Sequence, residues 1–257
     1  EWLPNTKFVG DGMMESQLDF LPESVVVMET HPINPNVSTN YSVNAPIPDN
    51  VKNTLVEINP QGLLRGIDGK IEGSLQALPP EVENSPLLVV PTISNWSQAD
   101  TPRSDLIDNM LIDESARRRH VRAIVDLVQR NAYQGIDLDY RGISPDLRQE
   151  YTAFVAELSR ALPDNKLLSV RVEYPQQISS LEWDTGAYDW KAIGRLADVV
   201  KVPTAPDPRT YAPGGQMEAL LDWAVGQVNR YKIQLLLSTL STEEVNGTLR
   251  PISYQKA

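Results

Sequence analysis

The 257 residues predict an α/β fold, a (β/α)8 TIM-type barrel that is incomplete in this chain and is preceded by a short β-rich segment. Three observations carry this reading. From residue 53 onward, apolar runs alternate with segments of helical period, the order expected of βαβ units around a parallel sheet. Residues 86–94, PLLVVPTIS, form a near-continuous apolar run, the mark of a strand buried on both faces. Residues 133–143, YQGIDLDYRGI, put charges inside an apolar strand. Side chains alternate faces along a strand, so Asp137, Asp139 and Arg141 share one face while Ile136, Leu138 and Tyr140 share the other. Helices cover the outer face of a barrel strand, and charges near its C-terminal end sit where such barrels build their sites. The competing reading is an edge strand with one solvated face.

Taken in order, residues 1–45 differ from the rest. Short β-like pieces such as residues 24–29 lead into a Pro/Asn/Ser-rich run over residues 31–49 that has no helical period and reads as a linker. This part is expected to be the end of a preceding β-sandwich plus a linker, with the barrel occupying residues 46–257. The alternative makes residues 25–29 the first barrel strand; it is disfavoured because no helix follows before the next strand, as a parallel crossover requires.

Residues 53–60, NTLVEINP, form the next strand, and residues 65–71, RGIDGKI, have the Gly/Asp chemistry of a hairpin turn with little helix after them. The run over residues 86–94 delivers Asn95 and Trp96 at its end. Residues 114–131 carry Val121, Ile124, Val125 and Val128 at helical spacing, with Arg117, Arg118 and Arg119 on the solvated side. After the central strand, Ser144 and Pro145 open a helix with Tyr151, Phe154, Val155, Leu158 and Leu162 as its stripe. Residues 166–173 form a strand ending at Glu173, residues 189–198 a short helix, 199–204 a strand, 217–231 a helix and 233–239 a seventh strand. No eighth strand is readable, so a piece of a larger protein is expected.

Composition removes several classes of function. The 34 acidic against 23 basic residues give a net charge of -11, which disfavours nucleic acid and anionic membrane surfaces as partners and leaves neutral glycans compatible. No apolar run is long enough to insert into a membrane. With no Cys, and with His31 and His120 as the only imidazoles, disulfides, thiolate chemistry and a metal site are not expected, and no cofactor is called for. Asn36, Asn40, Asn95 and Asn246 each begin an N-x-S/T triplet, a pattern common enough to carry no weight alone.

The stretch GIDLDY resembles the fourth strand of family 18 glycoside hydrolases, the chitinases and spore-cortex peptidoglycan hydrolases, whose pattern there is D-x-x-D-x-D-x-E. Its four positions fall on Gln134, Asp137, Asp139 and Arg141, so two match and two do not. Weaker similarity lies in residues 55–60, 90–94 and 252–254. The resemblance implies that the final glutamate, the general acid protonating the glycosidic oxygen, is replaced by Arg141. A guanidinium stays protonated and cannot take that role. The family's strand-six pattern, M-x-Y-D, corresponds to residues 203–207, where Ala205 stands for the tyrosine and Asp207 is displaced by a proline.

Two losses from one constellation imply a catalytically inactive barrel, a glycan-binding or structural module of a larger extracellular or cell-surface protein. Its expected partners are glycans or other surface subunits. Trp96, Asp139, Tyr140, Glu173, Tyr174 and Asp207 are the expected ligand-binding residues, with Trp183 near them. The alternative is a divergent glycosidase acting on N-acetylated glycans with Glu173 as the acid. Arg141 is expected to pair with Asp139 or Glu173, because two carboxylates on one inward face repel each other and lose hydration.

Overall fold

The computed structural model describes residues 37–42, 47, 53–97, 101–237 and 241–252, together with three strands near the N-terminus. The chain divides into two compact units, residues 1–36 and 37–257. In the first, Thr6–Phe8, Met13–Gln17 and Val25–Glu29 form an antiparallel sheet in chain order. Val25–Glu29 pairs antiparallel with Met13–Gln17 and is not a barrel strand.

The second unit is an α/β barrel of the TIM type. Its parallel strands follow one another in chain order: Val37–Tyr41, Leu55–Pro60, Leu88–Val89 with Thr92–Ser94, Gly135–Asp139, Leu167–Arg171, Val199–Pro203 and Ile233–Leu236. The third is interrupted at Pro91, which has no N–H to donate; the carbonyl of Pro91 still accepts from Asp137 N at 2.9 Å, so the ladder carries across the break. A hairpin of Leu63–Arg65 and Ile71–Gly73, turned by the 3-10 segment Ile67–Gly69, adds to the edge of Thr92–Ser94. Among the described residues there is no eighth parallel strand. Across that gap Ser38 Oγ donates to Gln234 Oε1 at 3.0 Å, so the first and seventh strands approach within one side-chain contact.

The boundary expected at residue 45 therefore moves back to residues 36 and 37. The run read as a linker contains the first barrel strand, Val37–Tyr41, paired parallel with Leu55–Pro60. Its sequence, VSTNY, has polar side chains where a buried strand normally shows apolar ones, because Ser38 and Asn40 make polar contacts with residues of other barrel strands.

The helices pack on the outer face. Glu114–Arg130 buries Ala116, His120, Val121, Ile124 and Val128, and Asp113 caps its start by accepting from Ser115 N. Arg148–Ala161 buries Tyr151, Phe154, Val155 and Leu158, as its spacing predicts. Ser144 precedes a 3-10 turn, Pro145–Leu147, that leads into that helix, and makes no side-chain cap bond. Ser104–Ile112, Trp190–Leu196, Gln216–Gln227 and the short Pro80–Glu83 add to the layer; the main apolar core runs between helices and sheet, and a smaller cluster joins Tyr41, Ile58 and Val82. Of the arginine triplet, Arg118 and Arg119 are helix surface and pair with Glu114 and Asp113, whereas Arg117, expected on the solvated side, is only 13% exposed because it pairs with Glu157 of the neighbouring helix and donates to Leu111 O. After the seventh strand, Ser241–Val245 and Thr248–Ile252 form a hairpin whose Asn246-Gly247 turn has positive φ at both residues, as a type I′ turn requires.

Candidate functional site

Parallel register places the inward-facing residues in layers. Asp137 lies opposite Thr92 on one side and Ser169 on the other, and Arg171 lies opposite Lys201. Glu57 and Asn59 face the same interior from the second strand and meet Lys201. The alternation that puts Ile136 and Leu138 into the outer core thus fills the inside of the barrel with polar and charged groups.

Asp137 is fully buried and saturated. Thr92 Oγ1 donates to its Oδ2 at 2.8 Å, Ser169 Oγ to its Oδ1 at 2.8 Å and Arg171 Nε to Oδ2 at 2.7 Å, while Lys201 Nζ stands 3.3 Å from Oδ1. Burial pushes this carboxyl up, but the charges of Lys201 and Arg171 and the donated hydrogen bonds outweigh it, and its pKa is held down at about 2. Arg171 also reaches Asn40 Oδ1 at 2.7 Å and stands 3.6 Å from Asp139. Burial alone would lower its pKa; the two aspartates raise it instead. Lys201 donates to Asn59 Oδ1 at 2.8 Å and to Glu57 Oε1 at 3.1 Å. Two buried cations thus face three buried carboxylates, Glu57, Asp137 and Asp139.

Arg141 evens that count at the rim. Its Nε donates to Asp139 Oδ1 at 2.8 Å and its second terminal nitrogen to Oδ2 at 2.9 Å, a bidentate fork, and its guanidinium carbon lies 3.8 Å from the centre of the Trp96 ring. The pairing expected of Arg141 is therefore with Asp139. Its side chain keeps 40% exposure against 3% for Asp139, so the pair is half-open and not sealed. Asn95, itself buried, pins the Arg141 backbone from both sides, accepting from Arg141 N at 2.9 Å and donating to Arg141 O at 2.8 Å. Glu173, at the end of the fifth strand, accepts from Gly142 N at 2.7 Å and so stands beside the same turn.

The other expected residues separate. Tyr140 does not reach the interior: it is buried on the outer face, its hydroxyl 2.5 Å from His120 Nε2 and its carbonyl bonded by the Tyr188 hydroxyl. The alternation that turns Asp139 inward turns Tyr140 outward. Trp183 is also core, beside Trp223. Asp207 caps its own 3-10 turn, accepting from Arg209 N and Nε, and its pKa is lowered by that hydrogen-bonded guanidinium. Tyr174 is half-buried, with its hydroxyl 4.0 Å from Met217 Sδ. Trp96, Asp139, Arg141 and Glu173 are thus brought together, while Tyr140 and Asp207 are not part of that group. The reading of the sequence missed Arg171, Lys201, Glu57 and Asn59, although Lys201 inside VVKVP and Arg171 inside LLSVR carry the same signal that marks Asp137.

Residues 53–206, more than half of the chain, match the family described as Glycosyl hydrolases family 18. The chain belongs to family 18. Among curated proteins it is 25% identical over 150 residues to the Uncharacterized glycosylase YvbX of Bacillus subtilis, a match covering 55% of this chain and 43% of that protein. It is 24% identical over 156 residues to the Cortical fragment-lytic enzyme of Bacillus cereus, covering 58% and 35%. The match thus spans less than half the length of these relatives. Among solved structures, the spore cortex-lytic enzyme SleL of Bacillus megaterium QM B1551 superposes with a TM-score of 0.68 at 20% identity, covering 91% of this chain and 59% of that one. A chitinase from Chromobacterium violaceum gives 0.63 at 20%, covering 78% and 67%. Within this family 18 barrel, the Arg141–Asp139 fork stands at the end of the fourth strand.

Proposed function

We propose that this chain is a family 18 barrel that does not hydrolyse glycosidic bonds and serves as a glycan-binding or structural module of a larger protein at or outside the cell surface. The observation that carries the proposal is the Arg141–Asp139 fork. It sets a permanently protonated group where the resemblance places the proton donor, and it occupies the neighbouring aspartate with both of its oxygens. The strand-six change supports it, since Ala205 offers no hydroxyl and Asp207 is engaged by Arg209. Glycans are the ligand class because relatives of this chain bear the names of a glycosylase, cortical fragment-lytic enzymes and chitinases, and because the charge of -11 speaks against polyanions.

A second reading keeps hydrolysis, with Glu173 as the acid, on the observation that its carboxylate stands beside Gly142 at the mouth. One assay separates the two. Purified protein incubated with N-acetylglucosamine oligomers and with peptidoglycan is expected to show no turnover above the buffer blank, since removal of a positioned general acid costs about 10²- to 10⁴-fold. Turnover that disappears in Glu173→Gln would establish the second reading.

A further inference from the structure

The turn Ile67–Gly69 of the edge hairpin is pressed onto the helix Glu114–Arg130. A Cβ on Gly69 would stand 2.7 Å from Ala116 O and 3.1 Å from His120 N, and φ there is +77°, so only glycine lets the two backbones meet. One buried side chain ties them. His120 Nδ1 lies 2.8 Å from Gly69 O, which can only accept, so Nδ1 carries the proton. Nε2 is then bare and accepts from the Tyr140 hydroxyl at 2.5 Å, while the Phe154 ring stacks on the imidazole at 5.7 Å. The neutral form satisfies every polar atom of this contact.

The hairpin also buries a cation beside it. Arg65 is 3% exposed, donates to the carbonyl of Gly66, leaves its Nε without a partner and forms no ion pair among the described residues. The carboxylates of the surrounding elements do not answer His120. Asp68 and Glu72 of the hairpin and Asp105 of the helix Ser104–Ile112 act on Arg65 and not on the imidazole, and Asp108 of that helix accepts from Ser144 N. Asp137 and Asp139 of the fourth strand are held inside the barrel by Arg171 and Arg141. From the helix Arg148–Ala161, Glu157 is taken by Arg117, and Tyr151, like Tyr140, is a phenol kept neutral by burial. On its own helix Arg119 donates to Asp68 O at 3.3 Å. The one charge that acts on His120 is the guanidinium of Arg65, which opposes protonation.

A proton on Nε2 turns that nitrogen into a donor, reverses the bond to Tyr140 and sets two uncompensated cations in one apolar site. The helix and the fourth strand are locked in the main core, whereas the hairpin has three-residue strands, pairs with the sheet along one edge and exposes Ile67, Asp68 and Lys70. We propose that the turn of this hairpin is an acid-released strap, which lifts from the helix when His120 is protonated and lets both His120 and Arg65 reach water while the barrel stays folded. The strand that the hairpin borders, Thr92–Ser94, runs directly into Asn95 and Trp96, the two residues that hold Arg141, so release loosens the support of the mouth. The device is independent of whether the mouth binds a glycan.

The chain has no Cys, so a single spin label on Ile67→Cys, a position 64% exposed, reports the strap, and one on Gln129→Cys, exposed at the far end of the same helix, serves as the fixed reference. With His120 at about 4 in the docked state against 6.5 when free, the release equilibrium is expected to rise about 10²-fold from pH 7 to pH 4. The Ile67 label should gain a mobile component over that range while the Gln129 label and the near-ultraviolet circular dichroism stay unchanged. In His120→Leu the Ile67 label should not respond to pH. Gly69→Ala gives a second arm that keeps the imidazole: its Cβ forces the turn off the helix, so the Ile67 label should be mobile already at pH 7 and the His120 resonance should titrate closer to 6.5 than in the parent. An Ile67 label that stays immobile to pH 4, a rise equal in His120→Leu, mobilisation of both labels together, or a His120 titration unmoved by Gly69→Ala would each overturn the strap.

Discussion

Two arginine–aspartate pairs, whose aspartates are two residues apart on one strand, face the same barrel interior and differ in depth. Arg171 and Asp137 have side-chain exposures of 5% and 0%; Arg141 and Asp139 have 40% and 3%. The deep pair is one edge of a network in which Lys201, Glu57, Asn59, Thr92 and Ser169 satisfy the remaining lone pairs and protons. The rim pair is a fork with an aromatic surface under it. A charge removed from water needs full compensation, whereas a charge at the rim keeps water as its partner. Similar bonds therefore have different consequences, and depth decides which pair the fold depends on.

The largest effect is expected from cutting the deep pair. Arg171→Met leaves Asp137 with Lys201 as its only cation and strips Asn40 and Thr92 of their bonds to the guanidinium. Breaking a buried pair by removing one partner costs about 3–5 kcal/mol. The denaturant midpoint of the variant reads this directly, and a variant as stable as the parent would show that water reaches the barrel interior and that depth does not separate the two pairs.

Acid sharpens the comparison, because the outer face of the same strand holds a buried titratable group with no counter-charge. His120 sits between Gly69 O at 2.8 Å and the Tyr140 hydroxyl. Burial lowers its pKa to about 4, helped by Arg65 and opposed by the bond to Gly69. A folded pKa below the unfolded value near 6.5 means that the unfolded chain takes up the proton first. The contribution of His120 is thus complete above pH 6.5 and is lost as pH falls toward 4, on the order of 3 kcal/mol. Asp137, also depressed, contributes fully above its unfolded value of 3.8 and loses that contribution as pH falls toward 2. Urea midpoints measured from pH 7 to pH 4 should fall in the parent and stay flatter in His120→Leu. An equal slope in both would assign the first window to other groups.

The sequence displays the barrel clearly wherever strands are apolar and helices periodic, and less clearly where a strand turns polar side chains inward. GIDLDY announces itself because aspartates interrupt an apolar run, and the stripe of Tyr151, Phe154, Val155 and Leu158 fixes its helix. Val37–Tyr41 is missed for the converse reason: with Ser38 and Asn40 polar, only Val37 and Tyr41 remain as apolar marks. At the site, the Arg141–Asp139 fork follows from alternation and charge. Tyr140 should have been excluded by that same alternation. Lys201 and Arg171 are legible as isolated cations in apolar strands, but their common target, Asp137, is set by the register between strands, which a single sequence does not print.

The smallest effect is expected at the rim. Arg141→Ala removes the fork and the stack on Trp96, yet Asp139 keeps Arg171 at 3.6 Å and gains water through the space the guanidinium leaves. The Arg141 backbone remains held by Asn95, so the turn before Gly142 keeps its course and Glu173 keeps the Gly142 N–H. With one partner 40% exposed, solvent screening limits the loss to about 1 kcal/mol. Adding about 0.5 M salt should narrow the gap between Arg141→Ala and the parent, since exposed charges are screened and buried ones much less. The same salt should leave the deficit of Arg171→Met unchanged. A loss at Arg141 as large as that at Arg171, or insensitive to salt, would mean that the rim pair is sealed and that the mouth of the barrel is part of its core.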